Sequence, residues 1–167
     1  MAWIKSVLIV SLVLVAQSCG IYSFNGVTIP DEVKTVSVAF IENEAMIVAP
    51  ALSPTLTDKL RTKFLTQTNL SLIEENGDFD ISGSIVSYTQ SPVGAADQST
   101  ASKNRLQIVV RIKMVSPKAQ NLEFEKRFTQ FEDFDASKSL ADVEADLIET
   151  ISENLAQEIF NKIALNW

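Results

Sequence analysis

Histidine is missing from the 167 residues, and cysteine occurs once, at Cys19. That removes histidine general bases, Cys/His nucleophile pairs, zinc cages and disulfide frameworks in one step. Cations are scarce: 14 Lys and Arg stand against 21 Asp and Glu, a formal charge of −7. A nucleic-acid binder would carry the opposite balance. There is no Gly-x-Ser-x-Gly elbow and no phosphate-binding glycine loop. Asp78-Phe-Asp80 and Asp133-Phe-Asp135 lack the ligand spacing and loop glycine of an EF-hand. They read as turn-capping carboxylates rather than metal ligands. A carboxylate-pair glycosidase would need two close carboxyl groups in one pocket, one with a raised pKa. The expectation is a protein that binds and does no chemistry, with no cofactor and no metal.

No apolar run is long enough for a spanning helix. The longest, Val7 to Ala16, is broken only by Ser11. It is about half of the roughly 20 residues that cross a bilayer. With Lys5 ahead of it and Gln17-Ser18-Cys19 behind, it has the layout of a signal peptide over residues 1–18. Cys19 at the end of the run resembles the lipobox cysteine of bacterial lipoproteins, although Ala16 stands where Leu or Val is usual. The alternative is an ordinary secretory peptide that leaves an idle thiol, a liability in an oxidising compartment. Acylation of Cys19 would tether the body permanently, because each buried CH₂ contributes about 0.8 kcal/mol. No acidic tag or aspartate retention signal follows Cys19. The expected position is the outer membrane, lipid-anchored and facing the periplasm, in contact with outer-membrane lipid.

The remainder, 19–167, has the length of a single domain. At 46% apolar and 21% charged residues, the chain can fold around a core. Val33 to Ile41 alternates, with Val36, Val38 and Phe40 on one face, as a strand does. Ser53-Pro54 opens a helix over 54–67, with Leu56, Leu60 and Phe64 four apart and Lys59, Arg61 and Lys63 turned to solvent. Leu70 to Glu74 is a short strand closed by the turn Glu75-Asn76-Gly77-Asp78. Phe79 to Gln90 is a strand whose inward parity changes at Ile85-Val86, which a β-bulge explains. Asn104 to Val115 alternates cleanly, with Leu106, Ile108, Val110, Ile112 and Met114 inward, and a turn returns it through Leu122–Phe134. Ser139 with Asp142 three residues later starts a helix to Ala164, its buried stripe Leu140, Val143, Leu147, Ile151 and Leu155. The expected fold is α+β: a two-layer sandwich of two helices packed on one face of a mostly antiparallel four- to five-stranded sheet.

The leader running into CGIYSFNG, the segment SPTLTDKLRTKFLTQTNLSLIEENGDFDISGSIVSY, the strand NRLQIVVRIKM and the tail ending in FNKIALNW together resemble the LptE family. These are outer-membrane lipopolysaccharide-assembly lipoproteins, and the likeness is greatest to the shorter form. It covers nearly all of the chain after the leader. The resemblance implies a plug: a lipoprotein inside the lumen of the large LptD β-barrel that stabilises the barrel and assists delivery of lipopolysaccharide to the outer leaflet. A free-standing periplasmic lipoprotein that binds a small lipid or an envelope glycan is the alternative.

Four cations, Lys103, Arg105, Arg111 and Lys113, fall on the outward face of one strand and its approach. They are suited to the phosphates of lipopolysaccharide. Glu123, Glu125 and Arg127 lie on the returning strand, where cross-strand pairing with Arg111 and Lys113 needs no ligand. Ser91 to Ser102 forms a long loop of small residues that either probes the partner barrel or lies free on the surface. Phe160 and Trp167 fall opposite the expected helix stripe, which makes them partner contacts if the helix stays straight. If it frays, Trp167 folds back over the sheet.

Overall fold

The computed structural model describes residues 29–94 and 103–165. Six strands and two helices follow the order β1 (Thr35–Val38), β2 (Glu42–Asn43), α1 (Leu52–Gln67), β3 (Ser71–Ile73), β4 (Phe79–Val93), β5 (Lys103–Val115), β6 (Phe124–Asp135) and α2 (Leu140–Ala164), with a 3₁₀ turn at Gln120–Leu122. The sheet runs β3-β1-β4-β5-β6, and β2 adds to β4 above the end of β1. β4, β5 and β6 are long and antiparallel. The β1 pairings with β3 and β4, and the β2 pairing with β4, are parallel. The fold is the expected α+β sandwich, but its sheet is mixed and has six strands.

Three inner stripes meet in the core. Leu106, Ile108, Val110, Ile112 and Met114 of β5 are all buried, as their alternation predicts. Against them pack Leu52, Leu56, Leu60 and Phe64 of α1 and Ile148, Ile151, Leu155, Ile159 and Ile163 of α2. Each such side chain contributes about 1.5–3 kcal/mol on leaving water. The bulge falls where the parity changes: β4 skips Val86 in its register with β5, passing from Ile85↔Val110 to Ser87↔Val109.

Several local expectations are corrected. The first strand stops at Val38, and Phe40 is exposed while Ile41 is buried, so the alternation breaks before β2. Helix α1 begins two residues earlier than Pro54 with Ala51 as its N-cap, and Ser53 lies inside the first turn. Lys63 is buried, because the neighbouring helix supplies Glu153 at 2.6 Å and Gln157 at 2.8 Å. Lys59 pairs with Glu149 at 2.6 Å, and Arg61 donates to the Val38 carbonyl at 2.7 Å. None of these three cations is simply solvated. In α2 the stripe is rotated: Leu140, Val143 and Leu147 are only partly buried, while Ser152, Ala156 and Ala164 are buried.

One connection is unusual. β3 and β4 lie on opposite sides of β1, yet only residues 74–78 join them, so this segment crosses the face of β1 that the helices leave uncovered. Asn76 takes a positive φ of 57°, which asparagine tolerates. Gly77 then lies against the β1 backbone, where a Cβ would stand 2.7 Å from the Val36 carbonyl carbon. Its N–H donates to Ser37 Oγ at 3.0 Å, and Ser37 Oγ donates to Asp80 Oδ1 at 2.5 Å. The Asp78 carboxylate accepts from the backbone N–H groups of Lys34 and Thr35 and pairs with Lys118 at 2.8 Å. The Lys118 ammonium and the backbone donors hold its pKa down at about 2.

Candidate functional site: the outer face of the sheet

The helices seal one face of the sheet, and the other face of β4, β5 and β6 is open. Alternation sends every second residue of each strand to that side, and the register sorts them into rows. Ser91, Arg105 and Asp133 form the first, and Thr89, Gln107 and Phe131 the second. The third is Ser87, Val109 and Thr129, and beyond the bulge come Ser84, Arg111 and Arg127, then Ser82, Lys113 and Glu125.

The four cations expected to act together are not equivalent. Arg105 is held by Asp133 through two bonds, 2.7 and 3.0 Å, and its guanidinium stacks 3.7 Å from the centre of the Phe131 ring. The bond to Asp133 raises the Arg105 pKa, and the same bond lowers that of Asp133. Arg111 is paired, but with Glu44 at 3.1 Å and with Ser84 Oγ at 3.3 Å. Glu125 comes no nearer to Arg111 than 4.0 Å, and Glu123 instead accepts from the Ser116 N–H. Lys103 is exposed at the start of β5, opposite Asp135, and Lys113 is exposed opposite Glu125.

Sequence reasoning missed two members of this face, Glu44 and Phe131, and it placed a third, Arg127, among the cross-strand pairing residues. Glu44 reaches it from the segment after β2, 67 residues away in the chain from Arg111. Phe131 is 45% exposed and stands beside Gln107. Arg127 sits directly opposite Arg111, and among the described residues no carboxylate lies within 4 Å of it. The expected cross-strand pairing is therefore corrected at Arg127, which faces Arg111, while Arg111 is served by Glu44.

Phe160 corrects the expected partner contact. It is 2% exposed and meets Phe64 edge-on with ring centroids 5.2 Å apart, because the α2 stripe is rotated toward α1. Trp167, Cys19 and the tip of the β4–β5 loop lie outside the described residues. The aspartates of the two Asp-Phe-Asp segments are hydrogen-bonded: Asp78 accepts from the Lys34 and Thr35 N–H groups, Asp80 from Ser37 Oγ, Asp133 from Arg105, and Asp135 from the Ser137 N–H at 2.8 Å. No group of three or more metal-ligating side chains occurs among the described residues.

Fold and surface together define an α+β domain with one face sealed by helices and one open polar face. Solved structures share this fold. A minor lipoprotein from Acinetobacter baumannii aligns at 17% identity and a TM-score of 0.50, over 75% of this chain and 92% of its own. A hypothetical protein, CT253, from Chlamydia trachomatis aligns at 9% and 0.55, over 78% and 95%. Protein XCC0632 from Xanthomonas campestris gives 12% and 0.50, over 78% and 90%. No curated protein sequence matches the chain. The lipopolysaccharide-assembly family LptE matches residues 33–163, and the chain belongs to that family.

Proposed function

We propose that the chain is an outer-membrane lipoprotein, acylated at Cys19, that fills the lumen of a large LptD-like β-barrel, stabilises it and assists lipopolysaccharide insertion into the outer leaflet. The observation that carries this reading is the LptE match, which extends through every element from β1 to α2. The one-sided architecture supports it, because a body sealed by helices on one side still offers a wide polar sheet to an enclosing wall or a passing headgroup. No helix of the described residues is long and apolar enough to cross a membrane, so attachment in this reading rests on the Cys19 lipid. The cations offered to lipopolysaccharide are Lys103, Arg105, Arg111 and Lys113 of the open face.

Capture from a detergent extract of the cell envelope tests the reading. The expected result is a large barrel protein in equal amount, with mass spectrometry finding lipid on Cys19. An unmodified thiol, or an isolated body beside an intact transport barrel, overturns it.

A further inference from the structure

The segment that crosses β1 contains the pair Asn76-Gly77. Asparagine followed by glycine is the pair most prone to lose ammonia, because glycine has no side chain to shield its nitrogen. The glycine nitrogen attacks the asparagine Cγ, and a five-membered imide forms. The bond from Cγ to Nδ2 breaks, and ammonia leaves with the proton that the glycine nitrogen gave up. Water then opens the ring at one of its two carbonyls. One opening gives aspartate. The other gives isoaspartate, whose main chain runs through Cβ and Cγ and is one carbon longer.

The fold sets the two halves of this reaction apart. Asn76 is exposed, so its amide meets water, but Gly77 is buried. The Gly77 N–H donates to Oγ of the fully buried Ser37 at 3.0 Å. Ser37 Oγ spends its own proton on Asp80 Oδ1 at 2.5 Å, so it turns acceptor lone pairs to Gly77. The proton that must leave is therefore enclosed. Ring closure also requires the Gly77 peptide unit to turn toward the Asn76 side chain. That unit lies against the β1 backbone, and the next residue, Asp78, is held by the Lys34 and Thr35 N–H groups and by Lys118.

We infer that Asn76-Gly77 is a deamidation site which Ser37 and Asp80 keep closed while the segment 74–78 is seated, and which reacts when that segment lifts. The isoaspartate product cannot return to its seat. A single Cβ on Gly77 would already stand 2.7 Å from the Val36 carbonyl carbon and the Phe79 oxygen, so an added main-chain carbon beside it has no room. The aspartate product does return, because aspartate tolerates the positive φ of 57° that Asn76 adopts. Isoaspartate at this position therefore records an opening of the segment and makes it permanent. The inference is independent of the assembly reading.

The test incubates the intact protein, in detergent at mildly alkaline pH, beside a peptide of residues 72–80. Tryptic mapping with mass spectrometry follows Asn76, and cleavage after Lys34 separates it from the second such pair, Asn25-Gly26. Conversion in the protein is expected to be at least about tenfold slower than in the peptide, the size of one net hydrogen bond. Ser37→Ala removes the acceptor and is expected to return about that factor. Lys118→Ala alters an exposed side chain that holds Asp78 from solvent, and it is expected to raise the rate too. Urea midpoints confirm that each variant is folded during the incubation. A wild-type rate equal to that of the peptide overturns the inference, as does a faster one, the outcome if Ser37 and Asp80 drew the proton off instead of holding it. Unchanged rates in both variants overturn it as well. Hydrogen exchange at the Thr35 and Gly77 N–H groups is expected to be fast in the isoaspartate form and slow in Asn76→Asp. Slow exchange in the isoaspartate form would overturn the permanence of the opening.

Discussion

Phe160→Ala separates a core residue from a surface contact. The ring is 2% exposed and meets Phe64 edge-on, between the two helices. Truncating a buried phenylalanine costs about 3–5 kcal/mol through lost transfer energy and the cavity left behind. An aromatic pair of this geometry accounts for about 0.5–1.5 kcal/mol of such a loss. Domains of this size are stable by about 5–15 kcal/mol, so the loss is a large share of the total. Phe160→Leu keeps most of the volume and should lose about 1–1.5 kcal/mol. Urea unfolding followed by circular dichroism reads the difference as a lowered midpoint at constant slope. Leu65→Ala, at a position 54% exposed on α1, is the reference and should stay within about 0.5 kcal/mol. A loss below about 1 kcal/mol in Phe160→Ala, with an unchanged slope, would refute the packing of α2 on α1 described here.

Two further outcomes concern the crossing segment. In Gly77→Ala the new methyl would stand 2.7 Å from the Val36 carbonyl carbon and from the Phe79 oxygen, both backbone atoms that cannot swing away. The expected loss is about 1–3 kcal/mol in the same urea assay, and wild-type stability would contradict the close approach. Asp78 has its pKa lowered from 3.8 to about 2 in the folded state. A depressed carboxylate stabilises above its unfolded pKa and loses that contribution as pH falls through the folded value. The midpoint difference between wild type and Asp78→Asn should therefore narrow from pH 5 to pH 2, and a difference independent of pH would contradict the Lys118 and backbone pairing.

The long antiparallel hairpins were legible because alternation is a local signal and one face is buried. Leu106 to Met114 carried it without interruption, and the Ile85-Val86 parity change located the bulge. The parallel ladders were not legible, since nothing in Thr35–Val38 or Ser71–Ile73 encodes which distant strand each will meet. The phase of α2 was misjudged because counting large apolar residues overlooks Ser152, Ala156 and Ala164, the small residues that let α1 approach. Lys63 looked solvated because its partners, Glu153 and Gln157, lie 90 and 94 residues away. On the candidate site, the outward cations of β5 and Arg127 on the facing strand were legible from the alternation and the hairpin return, but Glu44 was not. Which of them are neutralised depends on Asp133, Glu44 and Glu125, and that selection leaves Arg127 open.

The position of β1 has a mechanical consequence. It is an inner strand, flanked by β3 and β4 running in its own direction, with the Gly77 segment strapped over one face and the core on the other. Tension applied to the chain ahead of Ile29 would first open the hydrogen-bonded turn between Pro30 and Val33 and then load both β1 ladders in shear, where bonds share the force rather than peel one by one. A body built this way can be held by its leading end, under load, without surrendering its first strand.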